Sequence, residues 1–270
     1  MAGSDVRRRG RRFDPAELRR RLHLDDRPSL TLLGLLWATT AGYVVLHVAH
    51  RLLGEPEDRL LDLGAERGYP EVFQYTLTAW CIALLIVLAV RTRAVVMVVW
   101  GAITTYLLLD DFLQLHEQFG TFYALNAPYV GRITGHIGEA IWMLGVGLIA
   151  LGILIPVHLT SSRATRRVSS TIAGLFAALV FFGVGIDVIH APFIDMPVVD
   201  PLLIALEDGG ELAVLCLLVV FLLAEAAHGA ANVPRRTILR GTSAGGQSEP
   251  AEPADQPEPA DQPESAEWAE

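Results

Sequence analysis

The chain contains no lysine and only two cysteines, and none of its long apolar runs shows the strict polar–apolar alternation of a barrel strand. Without that alternation there is no signature of barrel strands. Cys81 and Cys216 both fall inside long apolar runs. Two thiols so placed build neither a disulfide framework nor a thiolate metal centre, and both read as small packing residues. No His-Glu-x-x-His pair, Gly-rich phosphate loop or nucleophile elbow occurs, so the common zinc-protease, nucleotide and serine-hydrolase signatures are absent. All 21 basic residues are arginine, which reads as codon bias rather than chemistry. The net charge of −9 is equally uninformative, because residues 241–270 hold eight acids and no base and the remainder is nearly neutral.

What the chain has is hydrophobic length. Of its 270 residues 52% are hydrophobic, and mean hydropathy is +0.40. A helix needs roughly 20 mostly apolar residues to cross about 30 Å of hydrocarbon. Six runs meet that length, near 30–53, 72–90, 94–117, 135–157, 170–190 and 203–227. The expected fold is all-α, a polytopic bundle of six transmembrane helices over residues 29–232. No cleavable signal peptide is expected, since the first run begins near residue 30 and is long enough to span.

Arginine placement orients the bundle. Residues 1–28 carry nine arginines; Arg91 and Arg93 follow span two, Arg163, Arg166 and Arg167 follow span four, and Arg235, Arg236 and Arg240 follow span six. In the intervening loops, Arg51, Arg59 and Arg67 are outnumbered by acids, Arg132 stands alone, and 191–202 has no arginine. The positive-inside rule puts both termini in the cytoplasm, here of a bacterial plasma membrane. The basic arm at 1–28, with a short helical candidate from Pro15 to Leu22, is expected to meet anionic membrane lipid rather than nucleic acid, because no aromatic interleaving or folded reader accompanies it. The tail at 233–270, where Glu252–Pro257 repeats at once as Glu258–Pro263, is expected to be disordered.

That orientation gathers the intramembrane acids and histidines at the outer end. Span one ends with His47 and His50, span three with Asp110, Asp111, His116 and Glu117, and span five with Asp187 and His190; span four begins with His136 and Glu139, and span six with Glu207, Asp208 and Glu211. Such residues in a bilayer are expensive and usually mark ion paths, proton relays or substrate sites. If span three is one helix to residue 117, Asp110, Gln114 and Glu117 share a face while His116 points elsewhere. The pairs His136/Glu139, Asp187/His190 and Glu207/Glu211 have i, i+3 or i, i+4 spacing, which lets two ligands on one helix reach a common ion.

Helix dipoles account for Glu139, Glu207 and Asp208 at N-terminal ends and for histidines at C-terminal ends. They do not account for Asp110, Asp111, Glu117 or Asp187, which stand where the dipole repels acids. Arginine is too scarce outside to neutralise all of them. Bound cations, shared protons or water exposure must do so. Imidazole and carboxylate without thiolate suit zinc, iron or manganese. Ten residues are therefore metal-ligand candidates: Asp110, Asp111, His116, Glu117, His136, Glu139, Asp187, His190, Glu207 and Glu211. One zinc on His116, His136 and His190, or two ions among the carboxylates, would each suit the set.

Several motifs carry a resemblance. Leu61-Asp62-Leu63 with Glu66, Pro70 and Phe73-Gln74-Tyr75, then Asp110-Asp111-x4-His116-Glu117, then Glu207-Asp208-Gly209-Gly210-Glu211, resemble a group of uncharacterised bacterial multi-pass membrane proteins. The resemblance covers roughly residues 60–215 and departs at Asp187-Val188-Ile189-His190, where an acid without the histidine is expected. It implies that Glu66 and Tyr75 belong with the site, and implies no reaction.

Three functions remain open. A metal-dependent membrane enzyme would hydrolyse a lipid-like ester or amide with Glu117 or Glu211 as general base, or with two irons would oxidise a hydrocarbon. A proton- or cation-coupled transporter would need a polar exit, yet the cytoplasmic halves of the spans are almost wholly apolar. A non-catalytic subunit or assembly factor would use the acidic mouth to hold a partner. The segment Arg59–Leu63 lies where a lid over the site would sit.

Overall fold

The computed structural model describes residues 15–127, 134–194 and 196–231. The arm up to Asp14, Arg132 and the acidic tail lie outside the described residues. Within them the chain is helical, with no strand. Helix α1 (Pro15–Arg21) precedes α2 (Arg27–Leu53), α3 (Tyr69–Thr92), α4 (Val95–Leu113), α5 (Leu115–Asn126) and α6 (Thr134–Thr160). Helix α7 (Arg163–Val180) runs into a π-helical turn (Phe181–Ile186), α8 (Asp187–His190) and a 3-10 turn (Ala191–Phe193), and α9 (Val199–Ala231) closes the bundle. Six helical stretches are long and apolar enough to cross a membrane: α2, α3, α4, α6, α7 with its continuation to Phe193, and α9 to His228. The chain is by this architecture an integral, multi-pass membrane protein.

Local chemistry sets the helix ends. Pro28 sits in the first turn of α2, where its missing N–H is not needed, and Gly54 ends that helix at φ 77°. Pro70 opens α3 in the same way, and Ser162 caps α7 by accepting from the Thr165 N–H at 3.2 Å.

Helix α9 is the centre. Over half of its spanning window is buried, against 6% for α6 at the periphery. Leu212, Cys216, Leu218, Val220, Phe221 and Leu222 have essentially no exposure, and α9 packs on α2, α3, α7 and the π turn. Cys81 and Cys216 are buried free thiols, with Cys216 against the Thr40 hydroxyl at 3.6 Å. Outward, Leu35, Val45, Val90, Leu144 and Ile149 are exposed, an apolar surface that suits lipid and not water. At the C-terminal end of α9, His23 stacks on His228 with ring centroids 4.8 Å apart and meets Glu225 at 3.0 Å, tying the turn after α1 to that end of the bundle.

One expectation fails here. Span three is not a continuous helix to residue 117. It stops at Leu113, and Gln114 takes a left-handed conformation (φ 53°, ψ 43°) before α5 begins. Asp110, Gln114 and Glu117 therefore do not share a helix face. The region expected to be a loop after residue 118 is helical to Asn126, and α5 pairs with α6 through glycines: a Cβ on Gly120 would stand 2.9 Å from the Gly135 carbonyl oxygen, and one on Gly138 2.7 Å from Tyr123 Cβ.

Candidate functional site

Three polar groupings form at the end of the bundle where α9 begins. The first is a clasp that fixes the loop after α2. His47, with no exposure, meets Asp62 Oδ1 through Nδ1 at 2.8 Å and the Pro201 carbonyl through Nε2 at 2.9 Å. Arg51 donates to Asp62 at 3.4 Å and to Asp200, whose other oxygen meets His190 Nε2 at 2.9 Å. Burial pushes the Asp62 carboxyl up, but the His47 hydrogen bond and charge, the Gly64 N–H and Arg51 outweigh it and hold the group below its ordinary 3.8. Arg51 is thus engaged by Asp62 and Asp200 and does not neutralise the acids of spans three and four.

The second grouping spans the α4–α5 break. Asp110 is fully buried, and its carboxylate accepts from the Tyr106 hydroxyl at 2.9 Å, Trp142 Nε1 at 3.0 Å and His116 Nδ1 at 2.8 Å. Three donors satisfy a buried anion that would otherwise be costly. With the carboxylate accepting, Nδ1 is the donating nitrogen of His116, and Nε2 stands 4.0 Å from Glu117 Oε1. Asp111 supplies the third member, with ligand atoms of Asp110, Asp111 and His116 all within 4.8 Å.

The third grouping is His136, Glu139 and Asp187, whose ligand atoms also lie within 4.8 Å of one another. His136 Nδ1 stands 3.5 Å from Glu139 Oε2 and 3.7 Å from Asp187 Oδ1. That nitrogen is enclosed and has no hydrogen-bond partner among the described residues. Glu139 fits because Gly120 has no side chain: a Cβ there would stand 2.6 Å from Glu139 Cγ. Asp187 follows the π turn, a local widening that re-aims the next residues and recurs at functional sites.

Beside the second grouping, and sharing Asp111 and His116 with it, lies a cavity of about 200 Å³ lined by Glu66, Glu71, Asp111, Glu117, Asp208 and Glu211, together with Gln74, Tyr75, His116 and the loop Leu63–Ala65. Six carboxylates meet there, and no arginine lines it among the described residues. Gln74 Nε2 donates to Glu211 Oε2 at 3.1 Å, and Glu211 rests against Gly183, where any Cβ would collide with it. Burial and the neighbouring Glu66 carboxylate push Glu117 above its ordinary 4.5; Glu139 adds to this, while His116 and Gln114 oppose it.

The expected ligands are therefore divided. His116, His136 and His190 do not converge on one point: His190 turns to Asp200 and lies 3.5 Å from Glu207 Oε2, away from the other two. Asp187 and His190, though i, i+3, serve different neighbours. On α9 it is Asp208, not Glu207, that joins Glu211 in the cavity. Glu66 and Tyr75, implied by the resemblance, line it as well, and the loop after Arg59 contributes Leu63–Glu66 to its wall. Sequence reasoning missed Tyr106, Trp142 and Asp200. Tyr106 left a signal, a hydroxyl one helical turn before Asp110, and Asp200 a weaker one, an acid at a helix start.

The fold and the site thus define a multi-pass membrane protein with an acidic, histidine-bearing cavity at one end of the bundle. The chain belongs to the family described as Domain of unknown function (DUF8692), whose match covers residues 64–226, the stretch that holds all six carboxylates of the cavity. No curated protein and no solved structure matches the chain.

Proposed function

We propose that this protein is a metal-dependent membrane hydrolase whose substrate is a lipid-like ester or amide. The site would face the outer side of a bacterial plasma membrane with both termini cytoplasmic, an orientation that the arginine distribution supports. The observation that carries the reading is the enclosed, unpartnered Nδ1 of His136 between two carboxylates. A tetrahedral ion with ligands at about 2.0–2.1 Å separates neighbouring donor atoms by about 3.3 Å. The 3.5 and 3.7 Å spacings around His136 are close to that and too long for hydrogen bonds. His136, Glu139 and Asp187 are then the ligands, a donor set suited to zinc, iron or manganese, with a fourth position open.

A bound ion would supply polarisation of the carbonyl and acidification of a water. The remaining work falls to the cavity. Glu117, held above its ordinary value, takes the proton of the attacking water. His116, fixed by Asp110, positions that water through Nε2 and passes the proton on to the departing oxygen or nitrogen. Hydroxide is added to the acyl carbon and a proton to the leaving group, which balances hydrolysis. Asp110 itself is a positioning residue, since its oxygens already serve three donors.

Elemental mass spectrometry of purified protein tests the reading. Close to one metal per chain, lost in His136→Ala and Asp187→Asn but kept in His190→Gln, is the expected result. Less than about 0.3 per chain, with none gained on adding zinc, iron or manganese, would remove it. Cation-dependent flux in proteoliposomes would instead make the protein a transporter.

A further inference from the structure

The acidic cavity has a drier neighbour. A cavity of about 240 Å³, mostly apolar, is lined by Arg67, Glu71, Val72, Tyr75, Phe112 and Gln114. Glu71 and Tyr75 line both cavities and so form the wall between them. That wall is fixed from within: the Glu71 carboxylate accepts from the Tyr75 hydroxyl and from the Arg67 backbone N–H. Tyr75 also meets Phe112 edge-on, with centroids 5.9 Å apart. Val72 and Phe112 are 53% and 62% exposed, on the flank of α3 and α4 that hydrocarbon would cover.

Arg67 is the unusual member. It lies two residues before α3, where a membrane surface would run, and is held at φ 58° in the turn. Its side chain is exposed, and its guanidinium, whose charge reaches the Tyr75 hydroxyl, makes no ion pair or hydrogen bond with any described residue. In a region crowded with carboxylates, the cation at the mouth of the apolar cavity is left for something else. Arginine's planar fork matches phosphate oxygens two at a time, and at a bilayer surface it meets lipid headgroups.

We propose that this cavity docks a phosphate-bearing membrane lipid. The headgroup phosphate sits on Arg67, a hydrocarbon chain runs over Val72 and Phe112, and the bonds next to the headgroup lie against the Glu71–Tyr75 wall beside the acidic cavity. This deepens the hydrolase reading by naming its substrate class and rests on that reading for any turnover, but the docking itself involves no metal ligand. A lipid explains both halves of the cavity. Free phosphate would have no use for the apolar wall, and a neutral lipid none for the unpaired arginine.

The test uses the full chain in neutral detergent, with and without chelator, followed by thermal unfolding while short-chain phosphatidic acid, the matching diacylglycerol or inorganic phosphate is added. Phosphatidic acid should raise the Tm, with the other two producing no shift. Arg67→Gln should weaken the effect on the order of tenfold in apparent affinity, Arg67→Lys should weaken it less, and Arg59→Gln, an exposed arginine in the same loop, should leave it intact. Phe112→Gln, which keeps the charge but wets the wall, should also weaken it. Equal stabilisation of wild type and Arg67→Gln, or stabilisation by inorganic phosphate alone, would overturn the proposal. Metal content measured on the same preparations separates the two ideas. Arg67-dependent lipid binding without metal sinks only the metal reading, and metal without lipid binding sinks only this one.

Discussion

Asp110 and His116 are joined at 2.8 Å across a helix break, the aspartate in the last turn of one helix and the histidine in the first turn of the next. Gln114 between them is left-handed, a conformation that a non-glycine residue adopts only when its surroundings hold it there. The bond is therefore part of what keeps the chain turned at this point, as well as what orients the His116 ring.

Asp110→Asn is the sharpest probe of that bond. An amide keeps the size of the side chain but confronts three donors with one acceptor oxygen and an NH2 group. Leaving buried donors unmet costs roughly 1–3 kcal/mol, or a Tm lower by several degrees in a chain this long. Tyr106→Phe removes one of the three donors and should do less. Unfolding curves in detergent that superimpose for wild type and Asp110→Asn would show the carboxylate to be a solvated rim group.

Gly120 offers a steric test of the ion site. A methyl group there meets Glu139 Cγ at 2.6 Å and the Gly135 carbonyl oxygen at 2.9 Å, and backbone cannot give way cheaply. Gly120→Ala should push Glu139 from His136, lowering metal content and costing about 1–3 kcal/mol from overpacking. Gly145→Ala, where the added carbon meets nothing within 4 Å in mid-helix, is the matched control and should leave metal content unchanged and not lower the Tm. Identical metal content in the two variants would detach Glu139 from metal binding.

The spans were legible because each is a long apolar run between polar segments, and the six helical stretches fall on the six runs. The gathering of acids at one end was legible for the same reason. The break at Gln114 was not, since neither proline nor glycine marks it; contacts made after folding, Asp110 to His116 and α5 to α6, impose it. The parting of Asp187 and His190 was hidden differently. Spacing tells which face a residue takes but not which neighbour waits there, and Asp200, readable only as an acid near a helix start, captures His190.

Asp62 makes stability depend on acidity in one direction. The folded carboxyl binds its proton less readily than the unfolded chain, whose ordinary value is 3.8. Its stabilising contribution is thus complete above that value and is lost as pH falls through the lower folded value. Wild type should exceed Asp62→Asn in stability at pH 6, and the gap should close as both are taken toward pH 3. Parallel curves over that range would show that the ionised form of Asp62 does not hold the clasp with His47 and Arg51.

Glu117 carries the opposite sign. Burial and Glu66 make the folded carboxyl bind its proton more readily than the unfolded chain, for which the ordinary value is 4.5. Its contribution favours the fold fully below 4.5 and disappears as pH rises through the raised folded value; ionised Glu117 then opposes folding. Glu117→Gln cannot ionise. In chelator-treated protein it should therefore be more stable than wild type near pH 7, and the difference should narrow as pH falls below 4.5. Saturating zinc should narrow it too, because a cation on His136, Glu139 and Asp187 favours the charged form of a nearby carboxylate. A variant less stable than wild type at neutral pH without metal would mean that Glu117 is a satisfied structural anion, and it could not then serve as the base.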